Sequence, residues 1–243
     1  MLLVLVQAER PRAVLACWDT LGVPTYRHRE LPSYQAHRPP FDAAIVEQLE
    51  RLRELVTAFG FANAEGGGYE ADDFLAAAAR LETEAGGTAL VVTSDRDAYQ
   101  LASPSVTVLA PQTGGRPPAR IGPAEVRERY GVEPSQVPDF IALRGDPSDG
   151  IPGAKGIGAK TATQLLQRYG TLEALVASRG DLTQRQAEAL ADPDLALYRH
   201  IATMDAAAPV TRPDDARLDR ATAAAHARSI GAARLAERLS SAA

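Results

Sequence analysis

The sequence predicts an α/β fold: a parallel sheet flanked by helices, followed by a mainly helical region. The first part of the chain alternates short apolar runs with helical patterns, which is the rhythm of strand–helix–strand units. Residues 110–118 are rich in proline and glycine and predict a turn or linker. Beyond them the patterns are short and helical, with no convincing strand. We therefore expect an α/β domain over residues 1–118 and a helical region over residues 119–243.

Four apolar runs predict the strands of the sheet. Residues 13–18 and 88–93 are continuous apolar runs, typical of strands that are buried on both faces. Residues 61–65 and 106–109 predict two further strands. The two longer runs are each followed by aspartates, so the strand ends become polar.

Helices are predicted between and after these strands. Residues 41–59 carry apolar residues at helical spacing, and residues 70–84 are rich in alanine and end before a glycine pair that suits a helix C-cap. The last forty residues are rich in alanine and arginine and also predict helix. Residues 25–40 are polar, basic and proline-rich, and predict a loop or mobile segment. The short helices of the second region are expected at 123–130, 134–143, 158–169, 172–177 and 183–190.

Composition excludes several classes of protein. An apolar fraction of 45% and a charged fraction of 23% are ordinary for a globular protein. The single cysteine, Cys17, excludes an intramolecular disulfide and a cysteine-cluster zinc site, and its apolar neighbours predict a buried thiol. The apolar start at residues 1–6 is too short to span a bilayer and lacks the basic region of a signal peptide. We expect a cytoplasmic protein that does not contact membranes.

The charge pattern is more informative than the net charge. A net charge of −5 argues against a broad basic face that grips nucleic acid. Many of the acidic residues, however, lie in short clusters between residues 70 and 149. A bound cation would neutralise several of them, so the net charge is a weak objection.

Three acidic groups are expected at one edge of the sheet. Asp19 follows the first predicted strand, Asp95 and Asp97 follow a later one, and Glu70, Asp72 and Asp73 open a helix after a third. The carboxyl ends of parallel strands lie at the same edge. Each group alone has another explanation: a turn residue, a helix N-cap or a complement to the helix dipole. The joint pattern favours a shared site.

Carboxylates brought so close repel one another unless a cation lies between them. Mg²⁺ prefers oxygen ligands and is often held by few carboxylates together with substrate phosphates, and Mn²⁺ can take its place. Two such ions about 4 Å apart can bind the attacking and leaving oxygens of a phosphodiester. Acidic groups on separate chain segments suit two ions better than one structural ion.

A second cluster of unusual residues spans 145–161. It begins with Asp146 and Asp149 and continues into a glycine-rich turn with two lysines before a predicted helix. Such a turn exposes backbone amides to an anion. The spacing does not fit a Walker A loop, but it resembles the helix-hairpin-helix element that binds DNA backbones without reading sequence. A plain turn between two helices would explain the glycines but not the charged residues.

Four blocks of sequence resemble the bacterial 5′-nucleases, which comprise the 5′–3′ exonuclease domain of bacterial DNA polymerase I and stand-alone flap endonucleases. Three of them are residues 69–73, 93–97 and 145–153. The fourth is formed by residues 26–28 with residues 34–40, which resemble the helical arch through which the 5′ strand passes. The resemblance extends from about residue 1 to at least residue 180.

The resemblance implies a PIN-like sheet, a helix-three-turn-helix module and two-metal hydrolysis of DNA with 5′ ends or flaps, in replication and repair. It implies that Arg27 and Arg38 contact phosphates near the scissile bond. The remaining residues fall into two implied sets. The metal ligands would be Asp19, Glu70 and Asp72 at one ion and Asp95, Asp97 and Asp149 at the other, with Asp73 and Asp146 close by. The DNA-binding residues would be Tyr34, Gln35, Gly153, Lys155, Gly156, Gly158, Lys160 and Thr161, with a potassium ion on the hairpin carbonyls.

Two departures from the family pattern leave alternatives open. Family members begin with a strand that ends in an aspartate upstream of the position of Asp19, and this sequence starts downstream of that block, through truncation or true variation. Gln35 stands where the arch usually has a lysine. The alternative function is therefore a catalytically weakened relative that binds branched DNA without efficient cleavage. A metal-dependent phosphatase of small substrates would also fit the carboxylates, but not the hairpin.

Overall fold

The computed structural model describes residues 2–241, and it contains five short strands. They lie in two pieces of sheet that share no backbone pairing among these residues. The strands are β1 (Leu15–Cys17), β2 (Ala62–Ala64), β3 (Ala89–Val92), β4 (Val106–Ala110) and β5 (Ala119–Ile121). β1 and β2 pair in parallel, β3 and β4 pair in parallel, and β5 lies antiparallel to β4.

Helices surround both pieces of sheet and form the rest of the chain. The α-helices are α1 (Leu2–Glu9), α2 (Tyr26–Glu30), α3 (Ala43–Ala58), α4 (Ala71–Glu84), α5 (Pro123–Tyr130), α6 (Val137–Arg144), α7 (Ala159–Tyr169), α8 (Leu172–Ala177), α9 (Gln184–Ala189), α10 (Leu195–Ala202), α11 (Arg220–Ser229) and α12 (Ala233–Ser241). The predicted α/β fold class is confirmed. None of the helices within residues 2–241 combines the length and apolar character that crossing a membrane requires.

β5 was not predicted from the sequence, because a strand of three residues with an arginine at its centre carries no apolar run. Its pairing with β4 turns residues 111–118 into the loop of a β-hairpin. The sheet therefore continues past the segment that the sequence suggested as a linker.

α4 connects the two pieces of sheet. It packs against both β1 and β3, and its side chains Phe74 and Ala77 are fully buried. β3 buries Val91 towards this helix, whereas Leu90 and Val92 each remain 37% exposed on the other face. The amides of Ala89 and Thr93 donate to β4, so the alternate amides of β3 point to its second edge. That edge has no strand partner among the described residues.

Residues 25–40, predicted as a loop or mobile segment, are a loop only in part: residues 31–40 form no helix or strand, but the start of the segment is packed into the core. Residues 26–30 form α2, and Thr25, Arg27, Leu31 and Tyr34 are buried. The sequence is polar and basic, but its polar groups are satisfied by partners on α4 and after α10, which makes their burial possible.

The helical region shares one apolar core with the β3–β4–β5 sheet. Val108 and Ile121 of the sheet pack in the same buried cluster as Ile141, Leu166 and Leu175 of the helices. A second cluster joins α3 to α11 and α12. The prediction of helix near the C-terminus is confirmed for residues 220–241, whereas residues 203–219 are irregular.

Candidate functional site

The first acidic group lies where β1 ends and α4 begins. Asp19 Oδ1 accepts a hydrogen bond from the amide of Ala71 at 2.8 Å, which ties the end of β1 to the start of α4. Glu70 is the N-cap of α4, and both of its carboxylate oxygens accept hydrogen bonds from buried hydroxyls. Thr25 Oγ1 donates to Oε1 at 2.8 Å and Tyr34 Oη donates to Oε2 at 2.8 Å. The carboxylate of Glu70 therefore has a fixed orientation.

Asp72 is the member of this group whose carboxylate has the fewest polar partners. Burial, together with the negative charges of Asp95 and Asp19, raises its pKa to about 7. No side-chain hydrogen bond to it is present within residues 2–241. A half-buried carboxylate that faces other carboxylates favours a proton or a metal cation nearby.

Asp73 lies beside this group but is occupied by Arg27. The two side chains form a double hydrogen bond with both N–O distances at 2.7 Å, and both residues are buried, with exposures of 3% for Arg27 and 0% for Asp73. Arg27 also donates to the carbonyl oxygens of Ile201 and Thr203. Asp73 accepts from the amides of Glu70 and Asp205. This geometry is at odds with the sequence-based expectations of a phosphate contact for Arg27 and of a metal-proximal role for Asp73.

The second acidic group follows β3. Asp95 Oδ1 accepts the amide of Asp97 at 2.8 Å, which turns the chain into a short 3₁₀ helix over residues 97–101. Burial, together with the charges of Asp95, Asp146 and Asp149, raises the pKa of Asp97 to about 8. Asp95 itself is exposed. This group therefore resembles the first: an exposed carboxylate lies beside a half-buried one whose pKa is raised.

Asp95 connects the two groups electrostatically. Its charge acts on both Asp72 and Asp97, and it raises the pKa of each more than any other charge does. The charges of the two groups therefore act on each other, although β1 and β3 belong to separate pieces of sheet. Within residues 2–241, however, no three His, Cys, Asp or Glu side chains are close enough together to form a ready-made metal site.

Asp146 and Asp149 lie on a tight turn over residues 146–151. Asp146 Oδ1 accepts from Ser148 at its amide and hydroxyl, and Oδ2 accepts from Arg144 at 3.0 Å. Both carboxylate oxygens of Asp146 therefore accept hydrogen bonds from residues in or next to this turn. Sequence reasoning missed Arg144, whose guanidinium lies over the ring of Phe140 at 5.3 Å, because nothing in its local pattern marks it.

Residues 33–38 connect the first acidic group to the turn over residues 146–151, and we call them the bridging turn. Tyr34 binds Glu70 of the first group. Gln35 donates twice to Asp149 of the turn over residues 146–151, from its amide to the carbonyl at 2.9 Å and from Nε2 to Oδ1 at 3.1 Å. Arg38 Nη2 donates to the same Oδ1 at 2.7 Å. Gln35 has φ +50°, a left-handed conformation that is uncommon for a residue with a side chain.

The predicted site residues of the bridging turn differ in their exposure to solvent. Tyr34 is buried against Glu70 and presents no free face to a ligand. Arg38 is half exposed and can reach solvent from its contact with Asp149. The sequence could identify these residues as unusual but not their partners, which are more than a hundred positions away for Gln35 and Arg38.

The glycine-rich hairpin leads from this turn into α7. Gly153 approaches the backbone so closely that a Cβ there would lie 2.2 Å from the amide nitrogen of Gly145. Gly156 has φ +81°, and Lys155, Gly156, Gly158 and Lys160 are all exposed, whereas Thr161 is half-buried. The hairpin therefore presents backbone and lysine side chains to solvent, as the sequence predicted.

The donor set suits a hard divalent cation. Asp19, Asp72, Asp95, Asp97 and Asp149 each retain at least one carboxylate oxygen without a partner within the described chain. Burial and neighbouring carboxylates raise the pKa values of Asp72 and Asp97, and the charges of Arg27 and Arg144 offset this only in part. The residues fit a magnesium-type ion in chemistry, and water or phosphate oxygens would have to complete its coordination.

Two family models together match most of the chain. Residues 1–131 match the 5′-3′ exonuclease N-terminal resolvase-like domain, and residues 132–224 match the 5′-3′ exonuclease C-terminal SAM fold. The chain belongs to the 5′-3′ exonuclease family. The family resemblance and the two-part fold predicted from the sequence are thereby confirmed. The two models of the 5′-3′ exonuclease family meet later in the chain than the predicted boundary at residue 118.

Known relatives agree with this assignment. DNA polymerase I of Deinococcus radiodurans is 45% identical over 172 residues, which cover 71% of this chain and 17% of that protein. The thermostable DNA polymerase I of Thermus thermophilus is 42% identical over 175 residues, covering 72% and 20%. The chain thus spans about a fifth of the length of the curated relatives it matches.

Solved structures show the same fold at low sequence identity. T5 5′-exonuclease with bound zinc superimposes with a TM-score of 0.71 at 19% identity, covering 98% of this chain and 85% of that one. At this identity the likeness shows the fold alone.

Proposed function

We propose that this chain is a structure-selective 5′–3′ exonuclease and flap endonuclease that hydrolyses DNA phosphodiesters in replication and repair. The observation that carries the proposal is the meeting of two acidic groups, coupled through Asp95, beside an exposed hairpin with lysines. Clustered carboxylates suit metal ions, and the hairpin suits a DNA backbone. Membership of the 5′-3′ exonuclease family supports both parts.

The residues divide the work between metal and DNA. Asp19, Glu70 and Asp72 would hold one divalent ion, Mg²⁺ or Mn²⁺, and Asp95, Asp97 and Asp149 would hold a second. Such ions supply an activated water and neutralise charge on the phosphate. Thr25 and Tyr34 orient Glu70 through their hydroxyls. Arg38 lies at Asp149 and would bind the phosphate next to the cleaved bond, while the hairpin holds the duplex, with K⁺ on its carbonyls.

Cleavage of branched DNA tests this proposal directly. The purified chain is incubated with 5′-labelled flap DNA and Mg²⁺ or Mn²⁺, with EDTA and a generic phosphomonoester as controls. We expect short 5′ products in either metal, none in EDTA and no turnover of the phosphomonoester. Turnover of the phosphomonoester without cleavage of DNA would contradict the proposal.

A second candidate function is recognition of branched DNA without efficient cleavage. It is favoured by the spacing of the carboxylates, none of which form a ready-made three-ligand site within residues 2–241. It is also favoured by Asp149, whose Oδ1 is already bound by Gln35 and Arg38. Tight flap binding in EDTA together with no cleavage at high enzyme concentration would select this candidate over the first.

A further inference from the structure

The hairpin contains both lysines of the chain. Lys155 and Lys160 flank its exposed glycines, and all other permanently basic residues are arginines. Both lysines are exposed, and neither forms an ion pair with a carboxylate of residues 2–241. A surface that gathers uncompensated cations around exposed backbone is suited to an anion.

A third cation from another helix lies against the same turn. A Cβ at Gly156 would lie 2.8 Å from Nη2 of Arg185, 3.2 Å from its Nε and 3.4 Å from its Cζ. The guanidinium of Arg185, on α9, therefore rests directly on the backbone of the hairpin. Glycine at position 156 is what leaves room for it, in addition to allowing φ +81°.

Arg185 is not held there by an acidic partner. Its side chain is exposed, and it makes neither an ion pair nor a side-chain hydrogen bond in the described part of the chain. By contrast, Arg127 and Arg199 of the same helical region each bind a glutamate. The N–H groups of Arg185 remain available to a ligand with several oxygen acceptors, and a phosphate has the matching geometry.

We propose that Arg185 joins Lys155 and Lys160 in binding one stretch of phosphates of duplex DNA, which makes α9 part of the DNA-binding surface. The inference rests on the proposed function, and it adds a residue outside the glycine-rich motif. A hairpin alone offers amides and two flexible amines. A guanidinium packed on the turn fixes the position of a phosphate relative to the hairpin.

Salt dependence of DNA binding measures the number of phosphate contacts. Binding of a 5′-flap duplex is measured in EDTA over a range of KCl, for the wild type and for Arg185→Gln, Arg185→Lys and Arg234→Gln. Arg234 is the matched control, since it is an exposed arginine on α12, which packs in a different apolar cluster. We expect Arg185→Gln to reduce the slope of log affinity against log salt by about one, Arg185→Lys to keep it, and Arg234→Gln to leave it unchanged.

Chemical acetylation supplies an independent readout. Because the chain has two lysines, the extent of lysine acetylation reports on the hairpin alone. We expect flap duplex to protect both lysines, and inorganic phosphate at the same phosphate concentration to protect neither.

The outcomes separate this inference from the proposed function. If the wild type binds the flap but Arg185→Gln has the same salt slope as Arg234→Gln, the role of Arg185 is refuted and the proposed function stands. A weaker affinity with an unchanged slope would also refute it, because it would indicate a packing role. If the wild type does not bind DNA at all, the proposed function fails, and this inference fails with it.

Discussion

The guanidinium of Arg27 is enclosed by Asp73 and two carbonyl groups, so its positive charge is used inside the protein. Replacing it by methionine would leave the carboxylate of Asp73 buried without its partner. We expect Arg27→Met to lower the free energy of unfolding by about 3–5 kcal/mol, measured by urea denaturation.

Arg38 supplies the matched control for that experiment. It also binds an aspartate at 2.7 Å, but its side chain is 50% exposed. We expect Arg38→Met to cost less than about 1 kcal/mol in stability. The structural role of Arg27 would be refuted if the two variants were equally stable. Arg27→Met combined with Asp73→Leu should recover part of the loss, since it removes the unpaired charge.

Asp95 is the residue on which the two-ion proposal depends most. Asparagine keeps the oxygen that caps Asp97 and removes the charge that raises the pKa of Asp72 and Asp97. We expect Asp95→Asn to reduce flap cleavage at least 100-fold, on the order of a lost metal ligand. Its melting temperature and its DNA binding in EDTA should not fall. Asp192→Asn is the control, because Asp192 caps the amide of Asp194 at 2.9 Å in the same way, far along the chain. Unchanged cleavage by Asp95→Asn would place the metal elsewhere.

At the scale of elements, the bridging turn is docked on the turn over residues 146–151. Gly150 has φ +72°, and a Cβ there would lie 2.2 Å from the carbonyl oxygen of Ser33. Gly22 has φ +75° with no atom within 4 Å of such a Cβ. Alanine at either position costs about 1–2 kcal/mol for the left-handed backbone. Gly150→Ala should cost more, because it must also push the bridging turn away.

Limited proteolysis and thermal melting distinguish these two alanine variants. We expect the melting temperature to fall further for Gly150→Ala than for Gly22→Ala. Protease cleavage within residues 33–38 should also become faster in Gly150→Ala alone. Equal behaviour of the two variants would mean that the bridging turn does not depend on this contact.

The elements differ in how far the sequence could predict them. α4 was predicted because its alanines and its acidic first turn are local features. The site residues on separate strands were predicted because parallel strands end at one edge. The pairing of Arg27 with Asp73 could not be predicted, since the two residues are 46 positions apart and neither is marked by its neighbours. For the same reason the burial of Tyr34 was missed: its partner Glu70 is brought to it by the fold.

At the scale of the whole molecule, Glu82 holds together three distant parts of the chain. It binds Arg12 before β1 and Arg212 in the irregular segment after α10. Hydrogen bonds from both arginines lower its pKa from 4.5 to about 2. A carboxylate with a lowered pKa stabilises the fold above its unfolded value, and this contribution is lost as the pH falls towards the folded value.

The expected result is a pH-dependent difference in stability. The melting temperature of the wild type should exceed that of Glu82→Gln by a constant amount above about pH 5.5. The difference should shrink steadily as the pH falls from 4.5 towards 2. Glu84→Gln is the control, because Glu84 is also on α4 but forms only an exposed ion pair with Arg80, one helical turn away. A difference that does not change with pH would mean that packing, and not charge, explains the effect of Glu82.

The second edge of β3 has a consequence for assembly. Its amides have no strand partner within residues 2–241, and Leu90 and Val92 beside them are partly exposed. Open strand edges pair with strands of other chains. We expect the protein to associate with increasing concentration, as measured by light scattering, and Val92→Lys to keep it monomeric. Ile45→Lys, on the exposed face of α3, should leave this association unchanged. If Ile45→Lys and Val92→Lys suppress association equally, the added net charge, and not the strand edge, is the cause.

This edge also leads directly into the candidate site. β3 ends at Val92, and Asp95 and Asp97 follow within a few residues. A strand that pairs along β3 from another molecule would end beside these carboxylates. The metal affinity of the site would then depend on the protein concentration, so metal titrations should be compared at several concentrations of the chain.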